Sequence, residues 1–220
     1  MAKEWQVLAL YTLYYAGGGL LAISLNFIPG QKVSFASSVL LITVFIAFYC
    51  HSAMRATITE QKEKNHLFLM TLPVSARKIF FIKMLVNWAI FTGVWLLFMA
   101  AISLIILFSD RIPSMVLSSY LLIFSVFIPA YCIIFGVGMI TKSESWTILA
   151  FIICNISCTV AINLMSSNAE VQSAFSLGTF SEIGLYWPSW APAIFMSVIG
   201  ITLAGLLLTS AVGFFRKDFF

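Results

Sequence analysis

Side chains able to do chemistry are few in this chain and poorly spaced for it. Two histidines, four cysteines and eight carboxylates are spread over 220 residues. His51 falls near the end of an apolar run and His66 in a polar segment, and neither stands beside a carboxylate pair. General acid–base chemistry and a two-histidine metal site therefore find no support. Cys50, Cys132, Cys154 and Cys158 all lie in apolar runs without C-x-x-C spacing. They read as small buried hydrophobes rather than as metal ligands or a disulfide. The chain has no G-x-S-x-G nucleophile turn, no H-E-x-x-H pair and no G-x-x-x-x-G-K-[ST] phosphate loop. It is read as no enzyme by itself, with no catalytic residue, no metal and no cofactor of its own.

Several of the polar residues inside the apolar runs are amides. Asn26, Asn87, Asn155 and Asn163 can line a path or bridge neighbouring helices, and bridging is the commoner outcome. No ionisable residue sits deep in a run, whereas proton- or ion-coupled transport needs such residues for relays. Any driving force is thus expected from outside the chain. Gly17, Gly18 and Gly19, and Gly136 with Gly138, permit close helix contact or a bend. The 21 phenylalanines read as lipid-facing or packing residues.

The elements that must position these residues follow from composition. Apolar residues make up 61% of the chain and charged residues only 9%, against roughly 25% charged in a soluble domain. Mean hydropathy is +1.04. A chain of this length cannot hide so much apolar surface in a soluble core. Charges bound uncharged runs at 5–31, 33–54, 84–109, 112–141, 145–169 and 183–215. Each exceeds the roughly 20 residues needed to cross about 30 Å of hydrocarbon. The runs do not alternate, which argues against an outer-membrane barrel, and helices satisfy their own backbone in lipid. The expected fold is all-α integral membrane: one transmembrane domain over 1–220 with six spans, at about 6–28, 34–54, 79–108, 114–140, 146–166 and 191–214. The first run is too apolar for too long, and lacks the cleavage site, to be a signal peptide.

Charge then sets orientation. With the N-terminus inside, ten basic residues lie on the inner side and only Lys32 and Arg111 on the outer. That asymmetry places both termini in the cytoplasm. The net charge of +4 is a topology signal, and nucleic acid is not an expected partner. The expected location is the cell (plasma) membrane of a bacterium, as a multi-pass protein in contact with lipid.

One stretch concentrates the charge. Residues 55–83, between the second and third spans, carry eight of the twenty charged residues. Thr57 and Glu60 have the spacing of a capping box, which predicts a helix starting near Ile58. Glu60 and Lys64 stand four apart in the favourable order. Leu67 to Met70 form an apolar patch, Pro73 interrupts the helix, and Ser75 reads as the N-cap of the next one. Arg77, Lys78 and Lys83 fall at the inner headgroup level. A solvated basic loop that only fixes topology accounts for the basic residues, but less well for the capped helix, the patch and the turn.

These residues carry a resemblance. Glu63-Lys64, then Leu72-Pro73-Val74-Ser75-Ala76-Arg77, then Ile79 and Lys83 resemble the corresponding stretch of ABC-2 type transporter permeases. Ala76 stands where many members have a first arginine. The resemblance implies an ABC-2 exporter-like fold of six spans with cytoplasmic termini. It implies a cytoplasmic coupling segment, here 55–78, that docks on a separate ABC ATPase subunit, and a second permease subunit. ATP and Mg would be bound by the ATPase and not by this chain. Carried over residue by residue, docking falls to Thr59, Glu60, Lys62, Glu63 and Asn65. The turn into the third span falls to Leu72, Pro73, Ser75, Arg77 and Lys83. The family also implies a re-entrant outer segment, here 166–190, although an ordinary interfacial loop fits that composition equally. The cargo class implied is an amphipathic peptide or a hydrophobic small molecule. A non-transporting membrane immunity or assembly protein, binding partners through the same loop, is the competing reading.

Overall fold

The structure is a computed structural model that describes residues 2–28, 31–59, 76–108, 115–167 and 188–215. Six α-helices account for most of them: α1 (Ala2–Ser24), α2 (Gln31–Met54), α3 (Ala76–Phe108), α4 (Met115–Thr141), α5 (Glu144–Ser166) and α6 (Ala191–Phe215). A short 3₁₀ turn, Leu25–Phe27, follows α1, and α2 runs on into one wide π-type turn, Arg55–Thr59. No strand occurs among the described residues.

Among the described residues, five stretches are long and apolar enough to cross a bilayer: Ala36–Ile58, Lys78–Ile106, Leu117–Thr141, Glu144–Met165 and Ala191–Gly213. This is the architecture of a multi-pass membrane protein. The 25 residues of the α4 stretch span about 37 Å at a rise of ~1.5 Å per residue, enough for hydrocarbon with some tilt.

Lipid is as apolar as leucine, so burial alone does not drive these helices together; close packing and interhelical hydrogen bonds do. The helices differ sharply in how they share that packing. In α4, 67% of the spanning stretch is buried, against 6% in α6. α4 is the central post, flanked by α2, α3, α5 and α6. Its inner face is aromatic. Phe45 of α2 lies within 5.1 to 6.4 Å, ring centre to ring centre, of Phe48, Tyr49, Phe91, Phe98, Phe124 and Phe127. Phe91 of α3 and Tyr131 of α4 stack face to face at 4.1 Å. The centre of the α2–α3–α4 triangle is thus filled with rings.

Polar side chains stitch the helices together. Tyr49 donates to Asn155 Oδ1 at 2.8 Å, joining α2 to α5. Asn26 Nδ2 donates to Ser37 Oγ, and Ser37 in turn to the Ala22 carbonyl, both at 2.6 Å, joining α1 to α2. Ser38 and Tyr120 share a hydrogen bond that joins α2 to α4. Pro129 lies inside α4, where it removes one backbone donor. Nearby carbonyls draw donors from other helices: Trp95 Nε1 of α3 reaches the Phe124 carbonyl at 3.1 Å, and the Cys158 thiol of α5 reaches that of Val126 at 3.9 Å.

The α4–α5 connection is Lys142 and Ser143 alone. Lys142 has φ of 51°, the left-handed conformation that ends helices, and its N–H donates to the Gly138 carbonyl at 3.1 Å.

Candidate functional site

The charged end of the bundle is assembled from one terminus of each of the six helices. Arg55, at the end of α2, lies over the Tyr11 ring of α1 at 4.7 Å. Such a cation–π contact contributes roughly 0.5–1 kcal/mol when exposed and more when desolvated. His51, one turn earlier, has its ring 4.8 Å from Tyr11 and 5.8 Å from Tyr15. Lys142 closes α4 at this end, and Lys78 is exposed on the first turns of α3.

The π-type turn is where α2 meets α4. Thr57 is 1% exposed and its Oγ1 donates to the Ala53 carbonyl at 2.7 Å. Thr57 is therefore a residue of a continuing helix and does not cap a new one near Ile58. The reason is burial. Ala56 and Ile58 are buried too, and Gly138 of α4 leaves the hollow that Thr57 fills: a Cβ on Gly138 would stand 2.6 Å from Thr57 Oγ1 and 2.9 Å from its Cβ. A one-residue widening of the helix puts these side chains against α4, and π-type turns often mark functional positions.

The same kind of notch repeats along the neighbouring seams. A Cβ on Gly136 of α4 would stand 2.6 Å from Thr209 Oγ1 of α6, and one on Gly205 of α6 would stand 2.8 Å from Cys132 Sγ of α4. Phe80, in the second turn of α3, is seated against Gly213 near the end of α6. A line of close contacts therefore runs from the end of α2 through α4 and α6 to the start of α3. Both attachment points of the 55–83 stretch grip the same helix pair. Small-residue contacts of this type bring backbones close and leave little slack.

The sequence-expected residues distribute unevenly over this geometry. Thr59 closes the π-type turn at the charged end. Arg77 is the second residue of α3, at that same end. Lys83 lies on α3, half-buried, with its carbonyl accepting from Asn87 Nδ2 at 2.9 Å. Glu60, Lys62, Glu63, Asn65, Leu72, Pro73 and Ser75 lie outside the described residues, as does 168–187 of the outer segment. Sequence reasoning did not reach Thr57, Phe80, Gly205 or Gly213 as contact residues; helical small residues facing bulky ones were the only available signal. Of the glycines singled out, Gly19 abuts Phe98, Gly136 and Gly138 abut α6 and the π-type turn, and Gly17 meets nothing within 4 Å.

All four cysteines are free thiols, three of them buried. Among the described residues, no group of three or more His, Cys, Asp or Glu side chains is placed to hold a metal ion. Comparison of the chain with protein-family models, with curated proteins and with solved structures finds no match.

Proposed function

We propose that this chain is the membrane-spanning permease subunit of an ATP-driven ABC-2 type exporter. In this reading α1 is a sixth span, both termini are cytoplasmic, and the protein sits in the plasma membrane of a bacterium. The stretch from Thr59 to Arg77 docks a separate ATPase, which binds ATP and Mg. The observation that carries the reading is sequence chemistry: Glu63-Lys64 followed by Leu72-Pro73-Val74-Ser75-Ala76-Arg77, between two apolar spans and on the basic side. The geometry of the charged end agrees with a lever. A force applied to the docking stretch reaches α4 through Thr57 and Gly138, and α6 through Phe80 and Gly213. The ring-filled centre of the bundle agrees with a transport path along its outside, against a second permease subunit. An amphipathic peptide or a hydrophobic small molecule suits such a path.

The filled centre also favours one competing reading, a non-transporting immunity or assembly protein that binds partners through the same stretch. Purification of the tagged chain from its host after mild cross-linking in membranes separates the two. The exporter reading expects an ATPase polypeptide in stoichiometric amount, with ATP hydrolysis. It also expects Glu60→Lys with Glu63→Lys to abolish that association while the variant still inserts. An ATPase-free preparation, or hydrolysis and assembly unchanged in the double variant, removes the docking assignment.

A further inference from the structure

At the charged end of the bundle one guanidinium is fixed by a ring. Tyr11 of α1 is held between two residues of α2. Its ring centre lies 4.8 Å from that of His51, and the guanidinium carbon of Arg55, one turn further on, stands over it at 4.7 Å. The His51 ring is braced by Tyr15 at 5.8 Å, and Tyr15 by Phe48 at 5.8 Å. These rings form a ladder between α1 and α2 that ends in a cation. Arg55 is half-buried. Among the described residues no carboxylate pairs with it and no carbonyl accepts from it. A guanidinium is always charged and carries its N–H groups in a rigid fork. The ring contact restrains the group and gives that fork no acceptor.

The chemistry of the fork selects its ligand. It matches the paired oxygens of a phosphate, through bonds strengthened by charge on both partners. The place of the fork selects among phosphates. Arg55 lies in the last turn of the apolar stretch Ala36–Ile58, where a long basic side chain reaches the headgroup layer. Leu10, Leu13 and Tyr14, in the same turns of α1 as Tyr11, are 49%, 68% and 67% exposed. They offer an acyl chain an apolar surface next to the cation. A molecule with a phosphate at one end and hydrocarbon at the other fits both. Charge narrows the choice further. A zwitterionic headgroup brings its own ammonium group to the phosphate, whereas an anionic one supplies the negative charge that Arg55 lacks. We propose that Arg55, seated on Tyr11, binds the phosphate of an anionic phospholipid where α1 and α2 meet at the charged end. His51 and Tyr15 position the Tyr11 ring. The site is independent of the exporter reading, because it requires only that this end of the bundle meets the headgroup layer.

Native mass spectrometry of the full chain tests the site, after release from nanodiscs that hold phosphatidylglycerol and phosphatidylcholine in equal amounts. The native chain is expected to retain phosphatidylglycerol several-fold over phosphatidylcholine. Arg55→Gln is expected to remove most of that preference. Arg55→Lys, which keeps the charge without the fork, and Tyr11→Leu, which removes the ring, are each expected to remove part of it. Lys78→Gln, which removes an exposed cation at the same end, is expected to leave it unchanged. A native chain without the preference overturns the proposal. So does an equal loss in Arg55→Gln and Lys78→Gln, the mark of a general attraction to the basic end. Displacement of the lipid by inorganic phosphate would assign the fork to a free anion and overturn the lipid as its ligand. An Arg55→Lys chain with the full native preference overturns the proposal even where Arg55→Gln fails to fold.

Discussion

Gly138 illustrates how much one hydrogen atom decides in this bundle. Its missing side chain is the hollow that Thr57 occupies. Gly138→Ala is expected to cost about 1–3 kcal/mol through overpacking, seen as a lowered unfolding midpoint of the solubilised chain. Gly93→Ala, where a Cβ meets nothing within 4 Å, is expected to be neutral or to stabilise by up to about 1 kcal/mol from helix propensity. Thr57→Ala in the Gly138→Ala background vacates the space and is expected to recover part of the loss. An additive double variant would show that the two side chains do not share one hollow. Lys142 is the opposite case, a side chain where glycine would be easier. Its φ of 51° disfavours branched residues, so Lys142→Val is expected to lose about 1–2 kcal/mol and Lys142→Gly not to.

At the scale of helices, five of the six expected spans coincide with stretches long and apolar enough to cross a bilayer, and the sequence was silent about their rank. The five stretches centre on uncharged runs, with Arg55, Lys78, Lys83 and Glu144 only near their ends, because a charge in hydrocarbon is expensive, and that penalty is written in the residues themselves. Which helix is central is not. The α4 and α6 stretches have mean hydropathies of 2.3 and 2.2, yet one is 67% buried and the other 6%. Lipid and protein interior are alike to a hydropathy scale, so only the aromatic and small residues of α4 hinted at its role. The capping-box reading of Thr57 failed for a related reason: T-x-x-E chemistry is local, and the packing of Ala56, Thr57 and Ile58 against α4 outweighed it. The docking assignment of Glu60, Lys62, Glu63 and Asn65 and the turn at Leu72, Pro73 and Ser75 rest on resemblance alone and lie outside the described residues. One helix-scale expectation concerns α4, the helix that contains Pro129. Trp95→Phe keeps the ring and removes the donor to the Phe124 carbonyl, and is expected to cost about 0.6–2 kcal/mol, the range for interhelical hydrogen bonds in membranes. Unfolding in mixed micelles measures it; an unchanged free energy would assign Trp95 to ring packing alone.

For the molecule as a whole, the basic residues at one end are a statement about orientation. Arg55, Lys78, Lys83 and Lys142 stand at the end where α2 and α4 finish and α3 begins. Lys142 and Ser167 flank α5 at opposite ends. In a chain whose four cysteines are replaced by alanine, Lys142→Cys is expected to react with a membrane-impermeant maleimide only in inside-out vesicles. Ser167→Cys is expected to react only in right-side-out ones. The reverse pattern would overturn the orientation, and labelling of both from one side would remove α5 as a span.

The notches between α4 and α6 bear on how such a chain is made. α6 follows the other five helices in the sequence, so during synthesis α4 enters the bilayer with the Gly136 and Cys132 face uncovered. Until the stretch from Ala191 to Phe215 has left the ribosome, that groove is open to lipid, to a chaperone or to a neighbouring nascent chain. The helix whose spanning stretch is the least buried of the five is therefore the one whose arrival ends the vulnerable period of the fold.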